Sequence, residues 1–182
     1  METQRLILRP FSAEDWRELY EYLSDPEVVR YEPYGVLTED ECRSEAARRS
    51  GDPAFWAVCL KGDGRLIGNV FLARGELDTW ELGYVFNARY QGRGYALESA
   101  RAAVDHAVTE HGAHRIVARC NPENHRSWRL LDRLPMRREG HQVQNVYFRT
   151  DGGGEPIWQD TYEYAVLASE WPTALGGSPF VR

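Results

Sequence analysis

The sequence predicts a mixed α/β fold of the α+β or three-layer type, with strands that mostly pair antiparallel. Three observations predict it. Short apolar blocks bounded by turn residues recur along the 182-residue chain, as strands do. Two of them, Phe55–Leu60 and 65–73, are separated only by Lys61-Gly62-Asp63-Gly64, a hairpin-turn composition. The block Thr79–Phe86 is followed by a long helix opening near Gly92 and then by the block Arg115–Cys120, the spacing of a strand–helix–strand crossover.

Taken in order, the first strand is the apolar run Leu6-Ile7-Leu8. Ser12, with Asp15 three residues on, reads as a helix start, followed by Trp16, Leu19, Tyr20 and Leu23 at helical spacing until Asp25-Pro26. Thr38-Glu39-Asp40-Glu41 is a second capping box. Its helix runs to about Arg49, and its charge predicts a largely solvated face. The segment 28–37 between these helices is rich in tyrosine, and it either lines a cleft or packs as a lid on the core. Gly68 inside the second hairpin strand predicts a bulge or a close backbone approach. The helix from Gly92 to about His111 carries a continuous stripe of mostly small apolar residues, Ala96, Leu97, Ala100, Ala103, Val104, Ala107 and Val108, and ends at Gly112. A short helix over 127–134 breaks at Pro135, and two strands, 142–149 and 161–167, flank the turn 151–156. Residues 1–172 read as one domain and 173–182 as a flexible tail.

Composition narrows the function. Apolar residues at 42% and charged residues at 27% are those of an ordinary globular domain. No stretch approaches the roughly 18 apolar residues of a membrane span. A net charge of −6 argues against nucleic acid as a partner; it serves solubility first and mildly favours cationic partners. Three widely spaced cysteines form no disulfide framework or zinc pattern, which fits a reducing cytoplasm. His106 and His111, five apart, are poorly spaced for one helix face, and no metal site is expected.

The chemistry concentrates in the segment 89–96, Arg-Tyr-Gln-Gly-Arg-Gly-Tyr-Ala. Small residues let a ligand approach the backbone. The first amides of the following helix lack internal partners and, with the helix dipole, suit a phosphate or pyrophosphate. A dinucleotide fingerprint would need a third glycine where Leu97 stands, and the Gly-Lys-Ser/Thr of a P-loop is absent.

Arg89-x-x-Gly92-x-Gly94, after a strand and opening a helix, resembles the acyl-CoA pyrophosphate motif of the GNAT acetyltransferase superfamily. The wider text resembles its ribosomal-protein alanine N-acetyltransferase branch: Thr3-x-Arg5-Leu6-x-Leu8-Arg9-Pro10, Asp25-Pro26-Glu27-Val28, Glu81-Leu82-Gly83-Tyr84-Val85, Gly92-Arg93-Gly94-Tyr95-Ala96-x-Glu98, Asn121-x-x-Asn124-x-x-Ser127, and Tyr162-x-Tyr164 with Glu170-Trp171. The resemblance covers roughly residues 3–171. It implies a mostly antiparallel central sheet with helices on both faces. It also implies acetyl-CoA as co-substrate, a primary amine (a protein N-terminus or a small molecule) as acceptor, and homodimers, which are common in the superfamily.

The resemblance also implies roles. Glu81 takes the amine proton, often through water in the family; the other reading is a glutamate that orders the sheet or binds the acceptor. Val85, Phe86 and Asn87 present backbone to the pantetheine arm. Gln91, Gly92, Arg93, Gly94, Tyr95 and Ala96 hold the pyrophosphate, with charge from Arg89 and Arg93. Asn121 and Asn124 reach the cofactor, although Asn124 is equally an N-cap. Ser127 protonates the CoA thiolate or is a surface serine. Tyr162 and Tyr164 lie near the acceptor or in the core. The family's Lys-Leu-Gly-Phe reads Arg133-Leu134-Pro135-Met136 here, so Arg133 replaces the lysine near the phosphates and Pro135 reshapes the turn. The alternative function, in another class, is an acyl-CoA sensor without turnover.

Overall fold

The computed structural model describes residues 1–172; the tail expected at 173–182 lies outside the described residues. The strands are β1 (Leu6–Pro10), β2 (Phe55–Leu60), β3 (Leu66–Arg74), β4 (Thr79–Phe86), β5 (Arg115–Cys120), β6 (Arg137–Thr150) and β7 (Pro156–Leu167). They form one sheet in the order β1-β2-β3-β4-β5-β7-β6. Every neighbouring pair is antiparallel except β4 and β5, the pair joined by the crossover. The helices are α1 (Trp16–Leu23), α2 (Glu39–Ser50), α3 (Tyr95–His111) and α4 (His125–Arg133). None is long and apolar enough to cross a membrane among the described residues.

Alternation along β4 divides the core in two. Trp80, Leu82 and Phe86 pack with the small stripe of α3, where Ala100, Ala103, Val104 and Ala107 are fully buried. Leu131 of α4 and Tyr164 of β7 belong to that side, so Tyr164 is a core residue, and Tyr162 packs against the same cluster. On the other face, Leu19, Tyr22 and Leu23 of α1 and Cys42 and Ala46 of α2 close over Ala57, Cys59, Leu66 and Val85.

Three strands have the expected limits. The departures have local causes. α3 begins at Tyr95, not Gly92, because Gly92 and Gly94 adopt φ of +74° and +82°, outside helical space. The β6–β7 hairpin is longer than expected. Register shifts between Gln142 and Val146, with Gln144 at φ +48°, break the alternation that would reveal it. Both readings of Gly68 hold. The register jumps from Val58↔Gly68 to Cys59↔Leu66, and a Cβ on Gly68 would stand 2.6 Å from the Val85 carbonyl and from Phe86 Cδ1.

α2 has the largely solvated face its charges predict, but Arg49 lies on the inner side with Cys42 and Ala46 and is 2% exposed. Its Nε pairs with Glu45 at 2.7 Å, its Nη1 donates to Asn69 Oδ1 at 3.0 Å, and its plane lies 4.7 Å from the Phe55 ring. Tyr22 donates to the same Asn69 oxygen at 2.9 Å. Composition alone does not reveal that one arginine of a charged helix is fully paired inside.

The N-terminal segment is fastened to α3 by one carboxylate. Glu98 accepts from Thr3 Oγ1 at 2.6 Å, the Arg5 amide at 2.9 Å and Arg5 Nε at 2.7 Å. Arg5 Nη1 also donates to the Arg93 carbonyl at 3.0 Å, and the guanidinium covers the Tyr95 ring at 4.5 Å. Burial raises the Glu98 proton affinity, but the bonds from Thr3 and Arg5 outweigh it and hold the carboxyl below the usual carboxylate range. A carboxyl with a lowered folded-state pKa contributes stability fully present above its unfolded value, about 4.3, and lost as pH falls through the folded value. Glu98→Gln should therefore lower stability by about 1–2 kcal/mol at pH 7, with the gap to wild type closing at strongly acidic pH. Urea titrations at pH 7 and at pH 3 check this.

Pro135 does not remove the left-handed turn after α4. The Met136 amide donates to the Leu131 carbonyl at 3.3 Å, the longer of the two bonds of a Schellman cap, and Pro135, the residue after the C-cap Leu134, has φ +24°. The ring opposes that angle and supplies no N–H for the second bond. Pro135→Gly should stabilise the fold by about 1 kcal/mol, the relief exceeding the added unfolded-state entropy. A melting temperature raised by about 2–4 °C is the expected reading.

Candidate active site

The parallel pair that links the two halves of the sheet is short. β4 and β5 pair at Thr79↔Arg115, Trp80↔Ile116 and Glu81↔Val117, while β4 runs on to Phe86 and β5 to Cys120. Beyond Glu81 the strands part and leave a slot. The Asn87 amide donates to the Ile67 carbonyl of β3 at 3.0 Å, and Val85 pairs with Asn69. By alternation, the backbone groups of Leu82, Tyr84 and Phe86 face the slot. Of Val85, Phe86 and Asn87, Phe86 is the one whose backbone turns to the slot, and its carbonyl accepts from Gln91 Nε2 at 2.8 Å. Asn87 and Val85 instead serve β3. The Asn87 side chain caps the turn Ala88–Tyr90 by accepting from the Arg89 amide at 3.0 Å.

The loop then winds into α3 through its two left-handed glycines. The Glu98 amide returns to the Gly94 carbonyl at 3.0 Å. The amides of Tyr95, Ala96 and Leu97 therefore have no carbonyl a turn behind them, and α3 is 17 residues long, enough for a full dipole. Left-handed residues alternating with others turn successive N–H groups to one side, a concavity suited to phosphate oxygens. Nothing lies within 4 Å of a Cβ built on Gly92, and Gly94 is backed only by Arg5 at 3.3 Å. Arg89 and Arg93 are exposed at the mouth, with Arg93 5.8 Å from the Tyr90 ring. Arg126 donates to Gln91 Oε1 and brings a further cation there. Arg133 is exposed at the end of α4.

Two side chains meet at the far end of the slot. The Ser127 hydroxyl on α4 lies 3.0 Å from the Tyr84 hydroxyl on β4, and Tyr84 also donates to the Ser127 carbonyl at 3.1 Å. Burial pushes the Tyr84 phenol up, against a smaller lowering by Ser127, so it stays protonated. Tyr84 carries no role in the sequence reading. Its only signal is the Glu-Leu-Gly-Tyr-Val text, and its meaning depends on a helix more than forty residues later. Cys120, at the end of β5, neighbours the same hydroxyl, and burial pushes its thiol up to about 11. It is thus a thiol, not a thiolate nucleophile, at neutral pH.

Asn124 is the N-cap of α4, its Oδ1 accepting from the Ser127 amide at 3.2 Å. Asn121 donates to Gln159 Oε1 at 3.0 Å and accepts from the Glu123 amide at 2.8 Å. Both asparagines shape the β5–α4 turn that carries Ser127.

Glu81 points to the opposite face of β4 from Tyr84, as odd and even strand positions must. It does not meet Ser127. Glu81 Oε1 is 3.2 Å from Arg119 Nη1, and Arg119 Nε is 3.0 Å from Glu163, a ladder across β4, β5 and β7. The Glu81 and Arg119 side chains are about half exposed, because α1 and α2 cover only the β1–β4 part of this face. The ladder lies on this uncovered part of the face.

His106 and His111 are closer than their spacing suggests. Their Nε2 atoms are 3.2 Å apart, because His111, the last residue of α3, lies against Trp80. Among the described residues no group of three or more metal-binding side chains is present.

The chain matches the acetyltransferase (GNAT) domain family over residues 5–137. It is 40% identical to the uncharacterized N-acetyltransferase YnaD of Bacillus subtilis (strain 168) over 93% of this chain and 97% of that one. It is 32% identical to the ribosomal protein uS5-alanine N-acetyltransferase of Escherichia coli (strain K12), over 94% of this chain and 92% of that one. The crystal structure of a GNAT-family acetyltransferase from Bacillus anthracis superposes with a TM-score of 0.85 at 36% identity, covering 93% of this chain and 99% of that one. With slot, glycine loop and crossover in one frame, and with these matches, the chain belongs to the GNAT acetyltransferase family and is an acyltransferase.

Proposed function

We propose that the protein moves the acetyl group of acetyl-CoA to a primary amine, a protein N-terminus or a small-molecule amine, by direct attack. The observation that carries this reading is the slot between β4 and β5 running into the unpaired amides at the start of α3. The amides from Gln91 to Ala96 hold the pyrophosphate, with Arg89, Arg93 and Arg126 at the mouth. Phe86 and Tyr84 offer their slot-facing backbone to the pantetheine arm as an added strand would. Arg133 lies near the phosphates, and Asn121 and Asn124 set the turn beside the thioester.

Direct attack fits the buried Cys120, which is not poised to form an acyl-enzyme. The Ser127 and Tyr84 hydroxyls are the proton source for the departing thiolate. The acceptor comes from the uncovered part of the other face, where Glu81 and Glu163 share the single cation Arg119 and leave one negative charge to attract an ammonium. The name of the E. coli relative, an alanine N-acetyltransferase acting on a ribosomal protein, makes alanine-initiated peptides natural first acceptors.

A thiol-release screen of amines and N-terminal peptides with acetyl-CoA tests the reading. Binding of acetyl-CoA without thiol release for every acceptor would leave a sensor, the reading from the other class. Within an active enzyme, Ser127→Ala and Tyr84→Phe should each lower kcat by about 10- to 100-fold with little change in CoA affinity. Steady-state kinetics beside calorimetric CoA titration separates the two effects.

A further inference from the structure

We infer that His106 and His111, at the C-terminal end of α3, form a two-histidine site for a divalent transition-metal ion of the zinc, nickel or copper class, completed by water. The site lies at the other end of α3 from the glycine loop and is independent of the acetyl transfer proposed above.

Spacing alone argues against such a pair, since positions five apart point about 140° apart around a helix. Two tryptophans of the sheet overcome this. His111 is the last residue of α3, and its ring lies against Trp80 of β4, with 5.1 Å between ring centres. His106 sets its ring edge-on to Trp56 of β2, at 5.6 Å. Each imidazole thus rests on an indole, and the two Nε2 atoms are brought together.

The distances are those of two ligands on one ion. Two imidazole nitrogens bound at about 2.05 Å stand about 2.9 Å apart at a right angle and about 3.3 Å apart at the tetrahedral angle, with ring centres about 4.5 and about 5.2 Å apart. In the protein the Nε2 atoms are 3.2 Å apart and the ring centres 4.8 Å, inside both ranges. A hydrogen bond aimed straight from one nitrogen to the other at that distance would put the centres about 5.5 Å apart. The two nitrogens therefore converge on a point beside the line that joins them.

An imidazole ligates only when neutral. Burial holds His106 below the usual imidazole range, helped by the facing His111 and the Met1 amino group and opposed by Glu110, so its lone pair is available at neutral pH. Imidazole suits zinc, nickel and copper, whereas magnesium and calcium take oxygen ligands. His111 is exposed and His106 half-buried, so an ion can enter from solvent and keep water on its remaining positions. It would fasten the last turn of α3, just before the left-handed Gly112 ends the helix. An ion that needs this arrangement of the two rings binds the folded chain in preference to the unfolded one and stabilises it.

The test uses the full chain, stripped of metal with EDTA, dialysed and titrated at neutral pH with Ni2+ alone, read by calorimetry and by tryptophan emission. Saturable binding at Ni2+ below about 1 mM is expected, with quenching of emission, because Trp56 and Trp80 touch the two ligands, and a melting temperature that rises with Ni2+. Zn2+ should compete for the site and Mg2+ should not. His106→Ala and His111→Phe, the second keeping a ring against Trp80, should each weaken Ni2+ binding at least about tenfold, while His125→Ala on α4 leaves it unchanged. Melting curves in EDTA establish that each variant is folded. Absence of saturable Ni2+ binding overturns the assignment. So does binding that both His106→Ala and His111→Phe keep within about twofold of wild type, or binding lost in His125→Ala alone.

Discussion

The Glu98 carboxylate is the contact on which the donor half of the site depends. A loop with two left-handed glycines has little of its own to hold it. Each glycine gives up more backbone entropy than any other residue would, and the amides it exposes are turned away from internal partners. Rigidity has to come from outside. Glu98 supplies it by drawing Thr3 and Arg5 onto the first turn of α3, and Arg5 passes the constraint on through the Arg93 carbonyl and the Tyr95 ring. A carboxylate in the first turn also suits the positive end of the helix. The ends of a long sequence interval are thus joined at the point where a phosphate group is to be met by backbone alone.

This contact explains why some of the chain was legible and some was not. Thr3-x-Arg5 and Glu98 both lie in stretches that resemble the family, yet nothing in their spacing says that they touch. The strands of the central sheet announced themselves through apolar blocks and turn residues, and α3 through its stripe of small residues. These are local signals, and the local physics decides them. Tyr84 and Ser127 are different. Their meeting depends on where α4 lies against β4, which no periodicity encodes. The charges of α2 predict a largely solvated face, and only Asn69 of β3, which also takes the Tyr22 hydroxyl, reveals that Arg49 is buried.

The two faces of β4 divide the chemistry. Even positions look toward α3 and α4, where hydroxyls are sheltered and protonated. Odd positions look toward the half-open face, where charges sit in water and in ion pairs. The gap between β4 and β5 connects these environments, so a thioester can be reached by a cationic nucleophile from one side and by a proton donor from the other. Ordinary strand alternation is enough to keep the hydroxyl pair and the ion-pair ladder apart.

The same gap has a consequence for assembly of the chain. Strands β1 to β4, in sheet order, are joined by antiparallel neighbours, and β5, β7 and β6 likewise, but only three residue pairs stitch one group to the other. The sheet is in effect two panels with a narrow seam, closed mainly by α3 crossing behind them. Parallel seams form late, because a long crossover must be closed before they gain anything. Even-numbered positions of β4 such as Trp80 carry the backbone bonds of this seam, whereas Glu81 turns its backbone to β3, and the last stage of folding is the joining that opens the slot on its unpaired side.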